Sequence, residues 1–310
     1  RDDKEGGHGM VDMYKSIVES CDTYYYTLAR DMGVDLMHDQ MKPLGFGQIT
    51  GIDILGESRG VLPSTEWKRN TYKKPEQQRW YSGETISLGI GQGYNSFTML
   101  QIAHAMGTVA NNGLKMKPHL VREVVDVETK ASTLVAKEPV GQLPLTPENL
   151  EVIKKGMVGV NIEGTSATSF IGAQYVSAGK TGTAQVFTVK QNEKYNASSI
   201  DERMRDHALF VAFAPADDPK VALAMVVENA GFGAQNAAPI ARRVFDFVLL
   251  GQYPAEEDIE AVQKGQATRP IGKPRAVANV PWPPKSVEPV LDEAAEARAT
   301  AKAEKKAKQP

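Results

Sequence analysis

Ser177-Ala178-Gly179-Lys180-Thr181-Gly182-Thr183-Ala184 is the stretch that decides the fold. Small residues crowd both sides of one lysine, and two β-branched threonines bracket a glycine. Such a run suits a strand that borders a cleft, because the threonines favour an extended backbone and the glycine keeps the edge open to another chain. Lys180 places a positive charge on that edge. A backbone N–H there, such as that of Thr183, can stabilise an oxyanion.

Working outward, Tyr175 to Val189 reads as a strand, and two more are expected at Ala208–Ala214 and Val221–Glu228. The turn chemistry of Pro215-Ala216-Asp217-Asp218-Pro219 joins the last two, so the three strands should lie side by side and antiparallel. Asn236 to Leu250 reads as a helix that closes over them. Upstream, Val11 to Met32 is helical in pattern with a break at Ser20-Cys21-Asp22, where serine and aspartate can cap the next helix, and Gly33 suits a stop. Residues 43–95 are rich in Gly, Pro and Trp and read as irregular structure with short strands. A helix is expected from Asn95 to Ala110, capped by Asn95 or Ser96 and ended by Asn112-Gly113. Val121–Val135 alternates like a strand pair, and Thr146–Val158 reads as a helix with Thr146 as N-cap and Pro147 in the first turn. The folded body therefore runs over residues 1–253. Residues 254–310 are Pro-rich and then almost wholly Ala, Glu, Lys, Asp and Arg, and are expected to be a disordered tail.

Composition limits the function classes. With 310 residues, 41% of them hydrophobic, the chain can bury a sizeable core. Its net charge of −2 gives no basic stripe for nucleic acid and no polybasic anchor for a membrane surface. Cys21 is the only cysteine, so no disulfide forms within the chain, and no apolar run is long enough to span a bilayer.

Lys-Thr-Gly is one of three short elements that together build serine acyl-transfer sites in β-lactamases and penicillin-binding proteins. Ser20-Cys21-Asp22 stands where a second, Ser-x-Asn, would sit, with serine as proton relay and the third residue bonded to the catalytic lysine. The third, Ser-x-x-Lys, carries the nucleophile and needs serine and lysine one helical turn apart. Its one literal match, Ser177 to Lys180, falls on the strand, where those positions face opposite ways. Thr65-Glu66-Trp67-Lys68 is a poor substitute in its expected loop. Gly89-Ile90-Gly91-Gln92-Gly93 lacks the spacing of a dinucleotide loop and reads as a tight turn near the cleft. Asp2, His8 and Cys21 form a set of O, N and S donors, though their spacing is no short zinc signature. His104, His119 and His207 have no partner pattern and read as structural.

The chain resembles the class B penicillin-binding proteins, and among them the elongation and cell-shape transpeptidases of Gram-negative bacteria. The likeness rests on Gly51-Ile52-Asp53, Glu57, Gly60, Pro63, Trp67-Lys68, Gly89 to Gly93, Met99 to Ala103, Ala110 to Gly113 and Lys180 to Gln185. Asn192 to Asn196, Arg205 to Leu209 and Phe213 to Pro215 add to it, and it covers roughly residues 1–252. The resemblance implies a penicillin-recognising α+β fold, a five-stranded antiparallel sheet packed with helices beside a helical lobe. It implies D,D-transpeptidation: acyl transfer from peptidoglycan stem peptides, with β-lactams acylating the same serine. The implied site residues are Ser20, Asp22, Lys180, Thr181, Gly182 and Thr183. It further implies an inner-membrane protein with a periplasmic catalytic domain, anchored by an N-terminal helix, and partnered by the polytopic glycosyltransferase and other proteins of the elongation complex. A structural zinc ion, held by Asp2, His8, Cys21 and a fourth ligand upstream of Arg1, is also implied. Asp22 departs from the usual Asn: an ionised aspartate only accepts, although elongation-type members do carry Ser-x-Asp. The missing Ser-x-x-Lys would precede Arg1, so these 310 residues alone are expected to be inactive. A D,D-carboxypeptidase or β-lactamase-like hydrolase, or a non-catalytic scaffold module, are the alternatives.

Overall fold

The computed structural model describes residues 4, 6–186, 200–266 and 268–280. Its helices are α1 (Met13–Val18), α2 (Asp22–Met41), α3 (Thr65–Thr71), α4 (Pro75–Gln78), α5 (Ser82–Leu88), α6 (Met99–Ala110), α7 (Pro147–Ile162), α8 (Ala167–Phe170), α9 (Gly233–Asn236), α10 (Ala238–Leu250) and α11 (Glu256–Gln263). Its strands are β1 (Leu114–Met116), β2 (Glu123–Val125), β3 (Ser132–Leu134), β4 (Pro139–Gln142), β5 (Ala178–Ala184), β6 (His207–Ala214), β7 (Val221–Val227), β8 (Gln252–Tyr253) and β9 (Arg275–Ala276).

The central sheet has the order β5-β6-β7 and is antiparallel throughout, with Lys180 opposite Val211 and Phe213 opposite Ala222. Strand alternation sends Ala208, Phe210, Ala212 and Ala214 to one face, where Phe170 and Phe245 complete a core with α8 and α10. Phe213 and Ala178 point to the other face and pack with Ile17, Ala110, Met157 and Val160 from α1, α6 and α7. Phe210, Phe213 and Phe245 are fully buried, and each contributes about 1.5–3 kcal/mol of transfer free energy. The result is a helix–sheet–helix sandwich whose described sheet has three strands. Residues 187–189 of the expected first strand, and the Asn192–Asn196 motif, lie outside the described residues.

Several local readings change. Cys21 is the N-cap of α2 and makes no side-chain cap bond, so neither Ser20 nor Asp22 caps the helix. Gly33 (φ 72°, ψ 162°) breaks α2 in its middle instead of ending it, and the chain turns helically again as far as Met41. The 43–95 region holds three short helices and an isolated bridge between Val61 and Ser96, where strands were expected. α6 starts at Thr98, not Asn95 or Ser96, because Thr98 and Gln101 form a reciprocal capping box. α7 begins as its sequence indicates, with Thr146 Oγ1 accepting from the Asn149 N–H.

The boundary at residue 253 also moves. Residues 254–266 and 268–280 continue the fold, with α11 docked through a buried ion pair; residues 281–310 lie outside the described residues. Arg243 Nε donates to Asp258 Oδ2 at 2.8 Å, and the Ile271 N–H reaches Asp258 Oδ1 at 3.0 Å. Composition concealed this, because one aspartate in an acidic stretch has its partner on α10. Replacing Asp258 by Ala leaves the Arg243 guanidinium buried without its carboxylate and should cost about 3–5 kcal/mol, read as a lower urea midpoint of unfolding. An unchanged midpoint would show that the segment after Tyr253 contributes nothing to the fold.

Candidate active site

Ser20 reaches the sheet because α1 lies almost directly on the backbone of α7. Ideal Cβ atoms built on three glycines there would collide: Gly156 with Ile17, Gly159 with Tyr14 and Val18, and Gly164 with the Val18 carbonyl oxygen at 2.4 Å. Two of these glycines stand inside a helix, at a propensity cost of about 1 kcal/mol each, so close approach is what they supply. The turn after α1 is then fixed by the Cys21 N–H on Ser16 O (3.0 Å), and the Ser16 hydroxyl sits 3.2 Å from that of Tyr25. Ser20 itself is in the left-handed region at φ 57°, an unusual conformation for a residue with a side chain.

α7 holds the strand as well as α1. Buried Asn161 donates through Nδ2 to Ser177 Oγ at 2.9 Å and accepts from Ser166 Oγ at 2.6 Å. Ser177 is thus consumed as a buried anchor at the entrance of β5, which removes it as a nucleophile on geometric grounds too. From α10, Asp246 takes the Tyr175 hydroxyl at 2.8 Å and the Arg242 Nε at 2.9 Å, fixing the approach to the strand. Burial, followed by the nearby Asp246 charge, pushes the Tyr175 hydroxyl far above its ordinary pKa, so it stays a donor.

These supports bring together two groups separated by 160 positions: Lys180 Nζ donates to Ser20 Oγ at 2.7 Å. The same ammonium donates to the Thr181 carbonyl at 3.1 Å. The Thr181 hydroxyl lies 2.8 Å from that of Thr165. Gly182 forms a close backbone contact, since a Cβ on Gly233 would stand 2.4 Å from its carbonyl. Thr183 accepts at its carbonyl from Gln92 Nε2 at 2.8 Å. Asp22 sits in the first turn of α2, where the helix dipole favours a carboxylate. A half-buried cation, a hydroxyl within its reach and a strand edge with no strand partner among the described residues can bind a carboxylate and pass a proton.

The other candidates fall elsewhere. His8 and Cys21 line one pocket with Tyr24, Leu28 and Asp31, and His8 Nε2 lies 3.8 Å from the Glu19 carboxylate. Asp2 lies outside the described residues. Thr65 and Lys68 occupy a helix, not a loop, but both are engaged: Thr65 with Asp35, and Lys68 with Glu84 inside a cage of Trp80, Tyr81 and Tyr94. His104 and His119 meet carbonyls, and His207 accepts from the Asn229 N–H. The sequence did not single out Asn161, Thr165 or Gln92; the last sits in the glycine-rich turn read as lying near the cleft.

The chain is similar to known proteins in sequence and fold. The chain matches the family described as penicillin binding protein transpeptidase domain over residues 1–246. It is 43% identical over 266 residues to the peptidoglycan D,D-transpeptidase MrdA of Haemophilus influenzae, which covers 83% of this chain and 39% of that protein. It is 41% identical over 254 residues to MrdA of Escherichia coli, covering 81% and 39%. The chain thus spans about two fifths of the length of these curated relatives. Among solved structures, Pseudomonas aeruginosa PBP2 in complex with WCK 5153 superposes with a TM-score of 0.68 at 38% identity, covering 81% of this chain and 52% of that one. The complex of PBP2 and MreC from Helicobacter pylori gives 0.65 at 29% identity, covering 81% and 42%.

The α1–α7 contact makes a direct prediction. Gly164→Ala forces a methyl into the Val18 carbonyl and should destabilise by about 1–3 kcal/mol, whereas Gly141→Ala, with open space around it, should stay within about 0.5 kcal/mol. Thermal unfolding of the two variants checks this, and equal melting temperatures would remove close packing as the reason for the glycine.

Proposed function

This chain belongs to the penicillin-binding protein transpeptidase family and has its fold, and from that premise we propose that it forms the substrate-binding and proton-relay side of a peptidoglycan D,D-transpeptidase site. The observation that carries the proposal is the 2.7 Å hydrogen bond from Lys180 to Ser20. The donor is a stem peptide ending in D-Ala-D-Ala. Lys180, with the hydroxyls of Thr181 and Thr183, holds its terminal carboxylate. Gly182 keeps the strand edge clear, and the Thr183 N–H is one oxyanion donor.

In the first half-reaction a serine oxygen attacks the penultimate carbonyl carbon. The C–O bond forms, the amide C–N bond breaks, and the leaving D-Ala nitrogen takes up a proton. Ser20 relays that proton, and its contact with Lys180 fixes the direction of the relay. In the second, an acceptor amine attacks the ester, the serine leaves with a proton, and the cross-link remains. A β-lactam carboxylate and carbonyl fit the same groups, so β-lactams acylate the same serine. Among the described residues no Ser-x-x-Lys lies on a helix. Asp22, at the start of α2, completes the relay side.

In the full-length protein, Lys180→Ala should cut labelling by a fluorescent penicillin by about a hundredfold, the usual effect of removing a group that stabilises developing charge. Labelling at the wild-type rate would end the assignment. Rapid release of label from the wild-type enzyme into water would point to a hydrolase instead.

Elongation-complex proteins, including a polytopic glycosyltransferase, are the proposed partners; H. pylori PBP2 has been solved with MreC. The proposed location is the periplasmic side of the inner membrane. No helix among the described residues is long and apolar enough to cross a membrane.

A structural zinc ion is a further part of the proposal. Among the described residues no three His, Cys, Asp or Glu side chains are gathered into a metal site, but an imidazole and a buried thiol share one pocket beside Ser20. His8 and Cys21 would hold the ion together with Asp2, and it would brace the turn that presents Ser20. Metal analysis of the full-length protein should give one zinc per chain, lost or sharply reduced in Cys21→Ser. Equal zinc in both would exclude Cys21 as a ligand.

A further inference from the structure

Among the described residues β5 pairs with β6 along one side only, which leaves the backbone groups on its other side without a strand partner. Thr181 and Thr183 are two apart on the strand, and their carbonyls point the same way. Each is met by a side chain: Thr181 by the Lys180 ammonium at 3.1 Å, Thr183 by the Gln92 amide at 2.8 Å. The second contact spans 91 positions and arrives from the glycine-rich turn after α5.

That turn is built to hold Gln92 still. Its N–H bonds Ser87 O at 3.0 Å, and the Gly91 N–H bonds Leu88 O at 2.9 Å. Gly91 and Gly93 take φ of 80° and 74°, which side chains rarely adopt, and a Cβ on Gly93 would sit 2.7 Å from Ser87 Oγ. Asn95 Nδ2 caps the Gln92 carbonyl at 3.3 Å. Beneath it, Glu84 on α5 is fixed by Lys68, by the Tyr81 N–H at 2.9 Å and by the Tyr94 hydroxyl at 2.9 Å. Burial is the largest single influence on the Glu84 carboxyl and pushes it up, but these donors together outweigh it and keep the group below its ordinary value, hence ionised.

We propose that Gln92 is a positioning residue of the acyl-transfer site: its amide locks the Thr183 carbonyl toward the cleft and so aims the Thr183 N–H at the oxyanion. The proposal rests on the reading of β5 as the strand that binds the acyl donor. In an extended strand the N–H and C=O of one residue point to the same side, so fixing one fixes the other. Gln92 touches no reacting atom. It acts through Thr183, by restricting rotation of its peptide units on the side of β5 that has no strand partner among the described residues. A plug that the incoming donor must displace would have the opposite sign, with faster acylation once the amide is removed.

The test uses the full-length protein and a fluorescent penicillin, with the noncovalent dissociation constant and the acylation rate constant measured separately. Gln92→Ala should lower the acylation rate constant about five- to tenfold, the fold-change of one hydrogen bond, with little change in the dissociation constant. Gln92→Glu should be slower still at pH 7, because an ionised carboxylate cannot donate to a carbonyl. Its rate relative to wild type at the same pH should recover as pH falls toward the ordinary glutamate value of about 4.3, where the protonated group again donates. A merely structural role gives no such recovery. Wild-type or faster acylation by Gln92→Ala overturns the proposal. So does a flat pH ratio for Gln92→Glu, which decides the matter within one folded variant if Gln92→Ala fails to fold. Lys180→Ala run in parallel separates the two readings. If it abolishes labelling while the Gln92 variants behave as wild type, only the Gln92 proposal fails; if it too labels normally, the transpeptidase reading fails.

Discussion

Three glycines on α7 and the turn beyond it let α1 approach at backbone distance, and the geometry of the site follows from that approach. With a side chain at Gly159 or Gly164, α1 would stand off by the thickness of a methyl group, and the turn carrying Ser20 would move with it. Cores are packed to crystal density, so such a displacement is not absorbed locally. α7 also grips the first residues of β5 through Asn161 and Ser177. One helix therefore helps to set both members of the Lys180–Ser20 pair.

β5 is held differently along its two sides. Toward β6 it has a regular antiparallel ladder, and α7 packs against it, with Ala178 beside Met157 and Val160. Along the open side it is tuned by side chains: Lys180 on Thr181, Gln92 on Thr183, Thr165 on the Thr181 hydroxyl. An unpaired strand edge invites any extended chain, and narrowing that invitation to one ligand requires groups that fix its donors and acceptors. Gly179 lets Phe210 and Asn161 pack directly on the strand backbone, and the buried network of Tyr175, Arg242 and Asp246 keeps the entrance of the strand from shifting.

The sequence showed whatever is local. Lys180 to Ala184 reads as a strand because β-branched residues alternate with small ones, and the ladder of β5, β6 and β7 followed from two turn-separated apolar runs. Thr146-Pro147 marked the start of α7 because a cap and a first-turn proline act within four residues. The break at Ser20 was visible as well, and of its two readings, helix cap and partner of the lysine, only the cap fails. A serine before a helix is usually a cap, and here its hydroxyl is taken by an ammonium 160 residues away. The helices between residues 65 and 88 were hidden because each is only four to seven residues long and is stabilised by Lys68, Glu84 and their aromatic neighbours more than by its own period. The docked segment after residue 253 was hidden because its one decisive aspartate looks like its exposed neighbours until Arg243 is seen beside it.

By itself, then, the sequence determined the chemistry available and the local backbone states: a cation on a strand edge, a serine at a helix break, glycines where side chains would not fit. The tertiary structure decided which of these groups meet. Ser20 meets Lys180 and does not cap α2, Ser177 is an anchor for Asn161, and Gln92 is a partner of Thr183 because α7 and the turn after α5 bring them within hydrogen-bond reach. Periodicity and capping act over a few residues, whereas a contact between residues 20 and 180 exists only once the helices and sheet between them have packed.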